Sequence, residues 1–334
     1  MPKPFVFVTR ALSEKGLNQI KQHFRTKVWL EYAPPSKEAL LEKARKADAL
    51  VTLLSDKIDK EVFNATPNLK MVAQMAVGFD NIDVPEATRR GIYVTNTPDV
   101  LTETTADFAW ALLMAVARRV VEADRYVRTG QWKVAWHPDM MTGRDVYRKT
   151  LGIVGAGRIG QAVAARAAGF KMRVLYYNRS PRPEIEKTLS AKRVELDELL
   201  READFVSIHV PLTPETTHLM NGERLRLMKK TAYLVNNSRG PVVDEKALYE
   251  ALKSGSIAGA ALDVFEQEPT PLDNPLLGLE NLVVAPHISS GSIETRERMA
   301  VMVAEDLLAF FRGEKPAHLV NPEVMKVRPL KRYV

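Results

Sequence analysis

The sequence predicts an α/β protein built of two doubly wound parallel-sheet domains, and three observations carry that prediction. Its 334 residues are too many for one ordinary core and suit two domains. Short β-branched runs alternate with amphipathic helical stretches, the βαβ rhythm of a parallel sheet covered by helices. The rhythm occurs in two series, separated by a long apolar stretch and a tryptophan-bearing segment. A composition of 46% hydrophobic and 27% charged residues supports a packed core under a solvated surface.

The first series has predicted strands at Phe5 to Val8, Val28 to Leu30, Ala49 to Leu54 and Met71 to Ala76, and helices at Glu14 to His23 and Lys37 to Ala47. The second begins at Leu151 to Val154 and continues through Arg173 to Tyr177, Phe205 to Val210, Tyr233 to Asn236, Ile257 to Val264 and Leu282 to Ala285. A cleft between the two domains is the expected consequence. Between the series, Thr104 to Gly130 opens with Thr104 and Asp107 in capping-box spacing and closes on glycine, which predicts one long helix. Its apolar residues go most of the way round, so it must be buried on several faces, within the chain or against a second subunit. Gln131 to Arg148, with Trp132, Trp136 and Pro138 and no clear period, reads as an extended arm.

Several function classes fall away. The most apolar run, Phe108 to Ala117, is far short of the roughly 20 residues of a bilayer span, and no secretory signal precedes Phe5. Without cysteine there are no disulfides and no thiolate metal sites, which fits a reducing cytoplasm, and no spaced His/carboxylate metal motif is present. The net charge of +7 comes from 48 basic and 41 acidic residues that are interleaved in most segments, so nucleic-acid binding is not expected. A modest positive field suits small anionic substrates instead.

The strand Leu151 to Val154 runs directly into Gly155-Ala156-Gly157-Arg158-Ile159-Gly160, followed by a helix rich in small residues. Strand before and helix after are the context that makes a GxGxxG meaningful. Gly155 permits the tight turn, Gly157 lets backbone N–H groups approach a pyrophosphate, and Gly160 lets the helix pack closely with its positive end toward the phosphates. This is the nucleotide half of a Rossmann domain. An NAD site normally carries Asp or Glu at the end of the next strand. Here that strand ends in Asn178-Arg179-Ser180-Pro181-Arg182, and the acid is missing. Arg179, Arg182 and the Ser180 hydroxyl suit a 2′-phosphate that a carboxylate would repel, so NADP is the expected cofactor with NAD as second choice. The alternative is an ordinary solvated basic turn.

Three later strand ends deliver Arg239 in Asn237-Ser238-Arg239-Gly240, Glu268 before Pro269, and His287 after Pro286. Polar residues at the carboxyl ends of a parallel sheet face the ligand crevice. Taken singly, Arg239 also reads as a surface charge, Glu268 as a loop acid, and His287 as a satisfied core histidine.

Along essentially its whole length the sequence resembles the D-isomer-specific 2-hydroxyacid dehydrogenases. The match rests on residues 77–83 (VGFDNID), 152–160 (GIVGAGRIG), Asn237 to Gly240, Glu268-Pro269 and Pro286-His287. The resemblance implies a Rossmann nucleotide domain, about residues 100–287, inserted into a flavodoxin-like outer domain of residues 1–99 and 288–334. It implies a catalytic Arg239, Glu268 and His287, with a dimerisation helix and arm over about residues 104–148. It also implies cofactor contacts at Thr105, Arg158, Ile159, Gln161, Pro211, Asn237, Ser238, Arg239, Asp263, His287 and Ser289. Substrate contacts are implied at Leu53, Ser55, Val77, Gly78, Arg239 and His287.

The residue types suit that chemistry. As hydride reaches a carbonyl carbon, the growing alkoxide needs a proton, which an imidazolium at His287 supplies. A carboxylate at Glu268 on the other ring nitrogen orients the ring and favours its protonated form. Arg239 offers a planar fork of donors to the substrate carboxylate. Residues 53–59 and 287–291 look most like glyoxylate and hydroxypyruvate reductases, so a homodimeric reductase of those 2-oxo acids is expected. Short-form phosphoglycerate dehydrogenases and D-lactate dehydrogenases are the alternatives within the family, and a nucleotide-sensing corepressor is the alternative of another class.

Overall fold

A computed structural model describes residues 3–333 of the chain. The chain divides into two compact units, residues 1–101 with 291–334, and residues 102–290. In the first unit, strands β1 (Phe5–Val8), β2 (Arg25–Val28), β3 (Ala49–Thr52), β4 (Met71–Gln74) and β5 (Tyr93–Thr95) alternate with helices α1 (Glu14–His23), α2 (Lys37–Ala44), α3 (Lys60–Ala65) and α4 (Val84–Arg89). All five strands are parallel in the order β2-β1-β3-β4-β5, the flavodoxin-like arrangement. β3 and β4 are buried at every position, as a sheet covered on both faces requires. Side chains that precede helices do the capping: Ser36 accepts from the Ala39 N–H, Asp59 from those of Glu61 and Val62, and Asp83 from that of Glu86.

The second unit starts with α5 (Thr102–Ala117) and α6 (Val120–Arg128). The alternation then runs β6 (Thr150–Val154), α7 (Arg158–Arg166), β7 (Arg173–Tyr177), α8 (Pro183–Leu189), β8 (Lys192–Arg193), α9 (Leu196–Glu202), β9 (Phe205–Ile208), α10 (Gly222–Leu227), β10 (Tyr233–Asn236), α11 (Glu245–Lys253), β11 (Gly259–Leu262) and β12 (Leu282–Val284). The seven strands are parallel in the order β12-β11-β10-β9-β6-β7-β8, so the strand order reverses beside β6. That reversal is the switch point where such sheets bind ligands, outside the carboxyl ends of the strands. The chain then returns to the first unit with α12 (Ile293–Phe311), packed on α1 and β4, and α13 (Val324–Val327). The buried Asn321 side chain fastens this return, accepting from the Val94 N–H and donating to the Ile92 carbonyl.

The long helix expected over Thr104 to Gly130 is two helices. It begins at Thr102 and breaks at Arg119, whose φ is 54°. Arg144, from the arm, donates its N–H to the Ala117 carbonyl, which a continuing helix would have needed. Thr104 thus lies inside the helix and not at its cap, and the Asp107 carboxylate takes the Arg166 Nε at 2.8 Å. α5 is buried along Ala106, Ala109, Trp110 and Leu113, whereas α6 has no buried residue. The expected strand at Val28 to Leu30 lies earlier, at Arg25–Val28, and β5 and β8 were not foreseen. β8 is two exposed cations at the sheet edge, with no apolar alternation to mark it.

Candidate active site

The residues singled out in the larger unit gather at the carboxyl edge of its sheet. Gly155 follows β6, Asn178 follows β7, Pro211 lies three residues beyond β9, Asn237 to Arg239 follow β10, Asp263 follows β11, and His287 lies beyond β12. At the glycine loop the φ of Gly155 is +95°, and a Cβ there would stand 2.7 Å from the His209 carbonyl oxygen. Only glycine meets both demands. A Cβ on Gly157, by contrast, would meet nothing within 4 Å, so that glycine faces open space ahead of α7.

The Asn178 turn is stitched to this loop. Asn178 Oδ1 accepts from the Ala156 N–H at 3.2 Å, and Arg182 Nε and Gln161 Nε2 both donate to the Ala156 carbonyl, at 2.7 and 3.2 Å. Asn178 Nδ2 donates to the Ser180 carbonyl at 2.8 Å. Near the start of α5, Asn237 Nδ2 donates to the Thr105 carbonyl at 3.1 Å. Asn237 Oδ1 and Thr105 Oγ1 are nevertheless buried without a protein partner. Buried polar atoms are normally paired, so two orphans on this edge together with the open glycine loop fit a dinucleotide with polar groups at both ends.

The acid–base pair is formed by loops distant in sequence. His287 Nδ1 and Glu268 Oε2 are 2.7 Å apart, both side chains being partly exposed. The other Glu268 oxygen accepts from the Phe265 N–H at 3.0 Å. Burial pushes the Glu268 carboxyl up, but the hydrogen bond and charge of His287, the Phe265 N–H and the Arg239 charge together hold it below the usual carboxylate range. It is therefore ionised at neutral pH. Arg239 hydrogen-bonds through Nη1 to the Ser238 carbonyl, and Asn236 Nδ2 braces the Arg239 carbonyl at 2.9 Å. The next residue must be glycine: a Cβ on Gly240 would fall 1.8 Å from the Phe265 carbonyl oxygen, so its absence lets the Arg239 and Glu268 loops meet.

His287 itself sits in the left-handed region, with φ 54°, a conformation costing on the order of 1 kcal/mol for a non-glycine residue. Asp263 holds it there. The Asp263 carbonyl accepts from the His287 N–H at 2.7 Å, and its fully buried carboxylate accepts from the Ile288 and Ser289 N–H groups, each at 2.8 Å, and from the Ser289 hydroxyl. Asp263 and Ser289, expected as cofactor contacts, thus organise the histidine loop. Sequence reasoning passed over His209, which follows β9. Burial pushes its imidazole down to about 3, and the neutral ring shares a 2.8 Å hydrogen bond with Ser207 Oγ. Its position at a strand's carboxyl end was the available signal.

In the smaller unit, Leu53 and Ser55 follow β3, and Val77 and Gly78 follow β4, again at the carboxyl edge. The Leu53 N–H donates to Asp56, Ser55 Oγ accepts from Arg10 Nη2 at 3.0 Å, and the Val77 carbonyl accepts from Asn96 Nδ2 at 2.8 Å. Arg10 was not foreseen, since nothing local to β1 links it to Ser55. Among the described residues no cluster of His, Cys, Asp and Glu is arranged to hold a metal, and no helix is long and apolar enough to cross a membrane.

Residues 110–289 match a family model described as D-isomer specific 2-hydroxyacid dehydrogenase, NAD binding domain. The chain is similar to a glyoxylate reductase of Korarchaeum cryptofilum, at 67% identity over 98% of both chains, and to a glyoxylate reductase of Thermococcus kodakarensis, at 60% over 98% of both. Among solved structures it is similar to the NADPH-dependent glyoxylate/hydroxypyruvate reductase of Sinorhizobium meliloti in complex with NADP and malonate. That match has a TM-score of 0.86 and 32% identity, and it covers 99% of each chain.

Proposed function

The chain belongs to the D-isomer specific 2-hydroxyacid dehydrogenase family, and on that premise we propose that it reduces glyoxylate to glycolate, and hydroxypyruvate to D-glycerate, with NADPH preferred over NADH. The observation that carries this reading is the Glu268–His287 pair at 2.7 Å, on the same sheet edge as Arg239 and the glycine loop. The nicotinamide, when bound, supplies the hydride. Asn237 and Thr105, with their orphaned oxygens, and the Gly155 to Gly160 loop hold the cofactor. Glu268 keeps the His287 ring oriented, so that Nε2 delivers a proton to the carbonyl oxygen. Arg239 binds the substrate carboxylate and polarises the carbonyl. In the smaller unit, Leu53, Ser55 and the backbone at Val77 and Gly78 are the proposed substrate contacts.

The test is kcat/KM for glyoxylate, hydroxypyruvate, pyruvate and 3-phosphohydroxypyruvate with each of NADPH and NADH. The reading expects glyoxylate or hydroxypyruvate with NADPH to lead. A clear preference for pyruvate or the phosphorylated acid would move the chain to another branch of its family, and no turnover of any 2-oxo acid would favour a nucleotide-sensing role.

A homodimer is part of the proposal. Val120, Val121 and Val127 of α6 are about half exposed, at 52 to 54%, and Trp136 of the arm is 78% exposed. Beside α6 runs a groove of about 490 Å³, lined in part by Val116, Val121, Tyr126, Leu277 and Leu282. Exposed valines on one helix and an exposed tryptophan of the arm support burial against a second copy. Sedimentation that finds only active monomer at micromolar concentration refutes it. A chain without cysteine has no disulfide to lose in a reducing compartment, and the cytoplasm is the proposed location.

A further inference from the structure

The short strand β8 carries a residue that nothing in the sequence motifs marks. Arg193 pairs in register with Tyr176 of β7, and the Val194 N–H donates to the Tyr176 carbonyl at 3.0 Å. From that position its guanidinium reaches the turn that follows β7: Nε donates to the Asn178 carbonyl at 3.1 Å and Nη2 to the Arg179 carbonyl at 3.0 Å. Both of these hydrogen bonds go to backbone carbonyls of that turn.

The two hydrogen bonds have a geometric consequence. In a planar trans peptide the carbonyl and the following N–H point in opposite directions. With the Asn178 and Arg179 carbonyls drawn onto Arg193, the N–H groups of Arg179 and Ser180 are turned to the other side of the turn. Neither donates to a protein acceptor among the described residues. Successive backbone N–H groups presented together form an anion-binding arrangement, and the Arg179 side chain and Ser180 hydroxyl belong to the same turn.

We infer that Arg193 is a positioning residue for cofactor choice, orienting the Asn178 to Ser180 turn so that two consecutive N–H groups meet the 2′-phosphate of NADPH. This rests on the NADPH reading proposed above. A planar guanidinium suits the task because its fork spans two carbonyls at once, which a lysine ammonium does less well.

The experiment measures dissociation constants for adenosine 2′,5′-bisphosphate and adenosine 5′-monophosphate in the wild type, Arg193→Ala and Arg193→Lys, with steady-state kinetics in NADPH. Arg193→Ala is expected to weaken the bisphosphate about tenfold, the worth of one charge-assisted hydrogen bond, and to leave the monophosphate within about twofold. The KM for NADPH rises in parallel while kcat holds, and Arg193→Lys recovers part of the loss. Equal weakening of both nucleotides would make Arg193 a general prop of the fold and overturn the inference, as would no change in either. A wild type that binds the two nucleotides equally would overturn the NADPH reading itself; a wild type that favours the bisphosphate, with Arg193→Ala unaffected, would overturn only the role of Arg193.

Discussion

Glu268→Gln tests the acid–base pair with little change of shape. The carboxylate serves two donors, His287 Nδ1 through Oε2 at 2.7 Å and the Phe265 N–H through Oε1 at 3.0 Å. An amide has one oxygen and one NH₂ group, so it can serve both only if its oxygen takes the Phe265 N–H and its NH₂ donates to a neutral Nδ1; against a protonated ring one donor is left facing another. The loss is one charge-assisted hydrogen bond, about 1.5–3 kcal/mol, or roughly 10- to 150-fold in an equilibrium. The lost bond is the one that orients the ring delivering the proton, so the loss enters in turnover and not in cofactor binding. Glu268 is held below the usual carboxylate range and stays ionised across the assay window, so the wild-type pair is intact there. The fall in kcat/KM for glyoxylate should therefore be roughly 10- to 150-fold at neutral pH, with the KM for NADPH little changed. A matching loss of NADPH affinity would reduce Glu268 to a brace for the Phe265 loop, and undiminished turnover would refute the pairing.

His287→Ala should lower kcat on the order of 10²–10⁴-fold with a far smaller effect on NADPH binding, since the imidazole's proton goes to the reacting oxygen; near-normal turnover removes it from the mechanism. Asn178→Asp combined with Arg179→Ile should reverse the NADPH to NADH ratio of kcat/KM by adding repulsion as well as removing attraction, and a wild-type ratio at or below one contradicts the reading of this turn. His209 gives a pH prediction with a definite sign. Its folded value, pushed down to about 3, lies below the ordinary histidine value, so between the two the unfolded chain binds the extra proton and stability falls as pH drops. His209→Gln, which can keep the bond to Ser207 without titrating, should flatten thermal stability across that window; an acid limb as steep as the wild type's would show that other groups set it.

Local pattern alone carried a good part of this protein. The strand, the glycine loop and the helix after it lie within one short stretch, so Gly155, Gly157 and Gly160 were legible without any partner. The absent acid after β7 was equally plain, whereas Arg239, Glu268 and His287 read singly as a surface charge, a loop acid and a core histidine, and only the family resemblance drew them together. Periodicity, capping signals and turn residues act between near neighbours, and the glycine loop and the missing acid needed nothing else. What tertiary structure decided depends on segments far apart in the chain. The helix break at Arg119 arises because Arg144 takes the Ala117 carbonyl, and no property of residues 104–130 by themselves announces it. Asp263 pins the histidine loop across 26 residues, and Gly240 is needed only because the Phe265 backbone comes to rest against it. Arg193 reaches its turn from a neighbouring strand too short and too polar to be predicted. In each case the deciding contact is a hydrogen bond or a close backbone approach between elements, whose geometry exists only once the parallel strands have been set side by side.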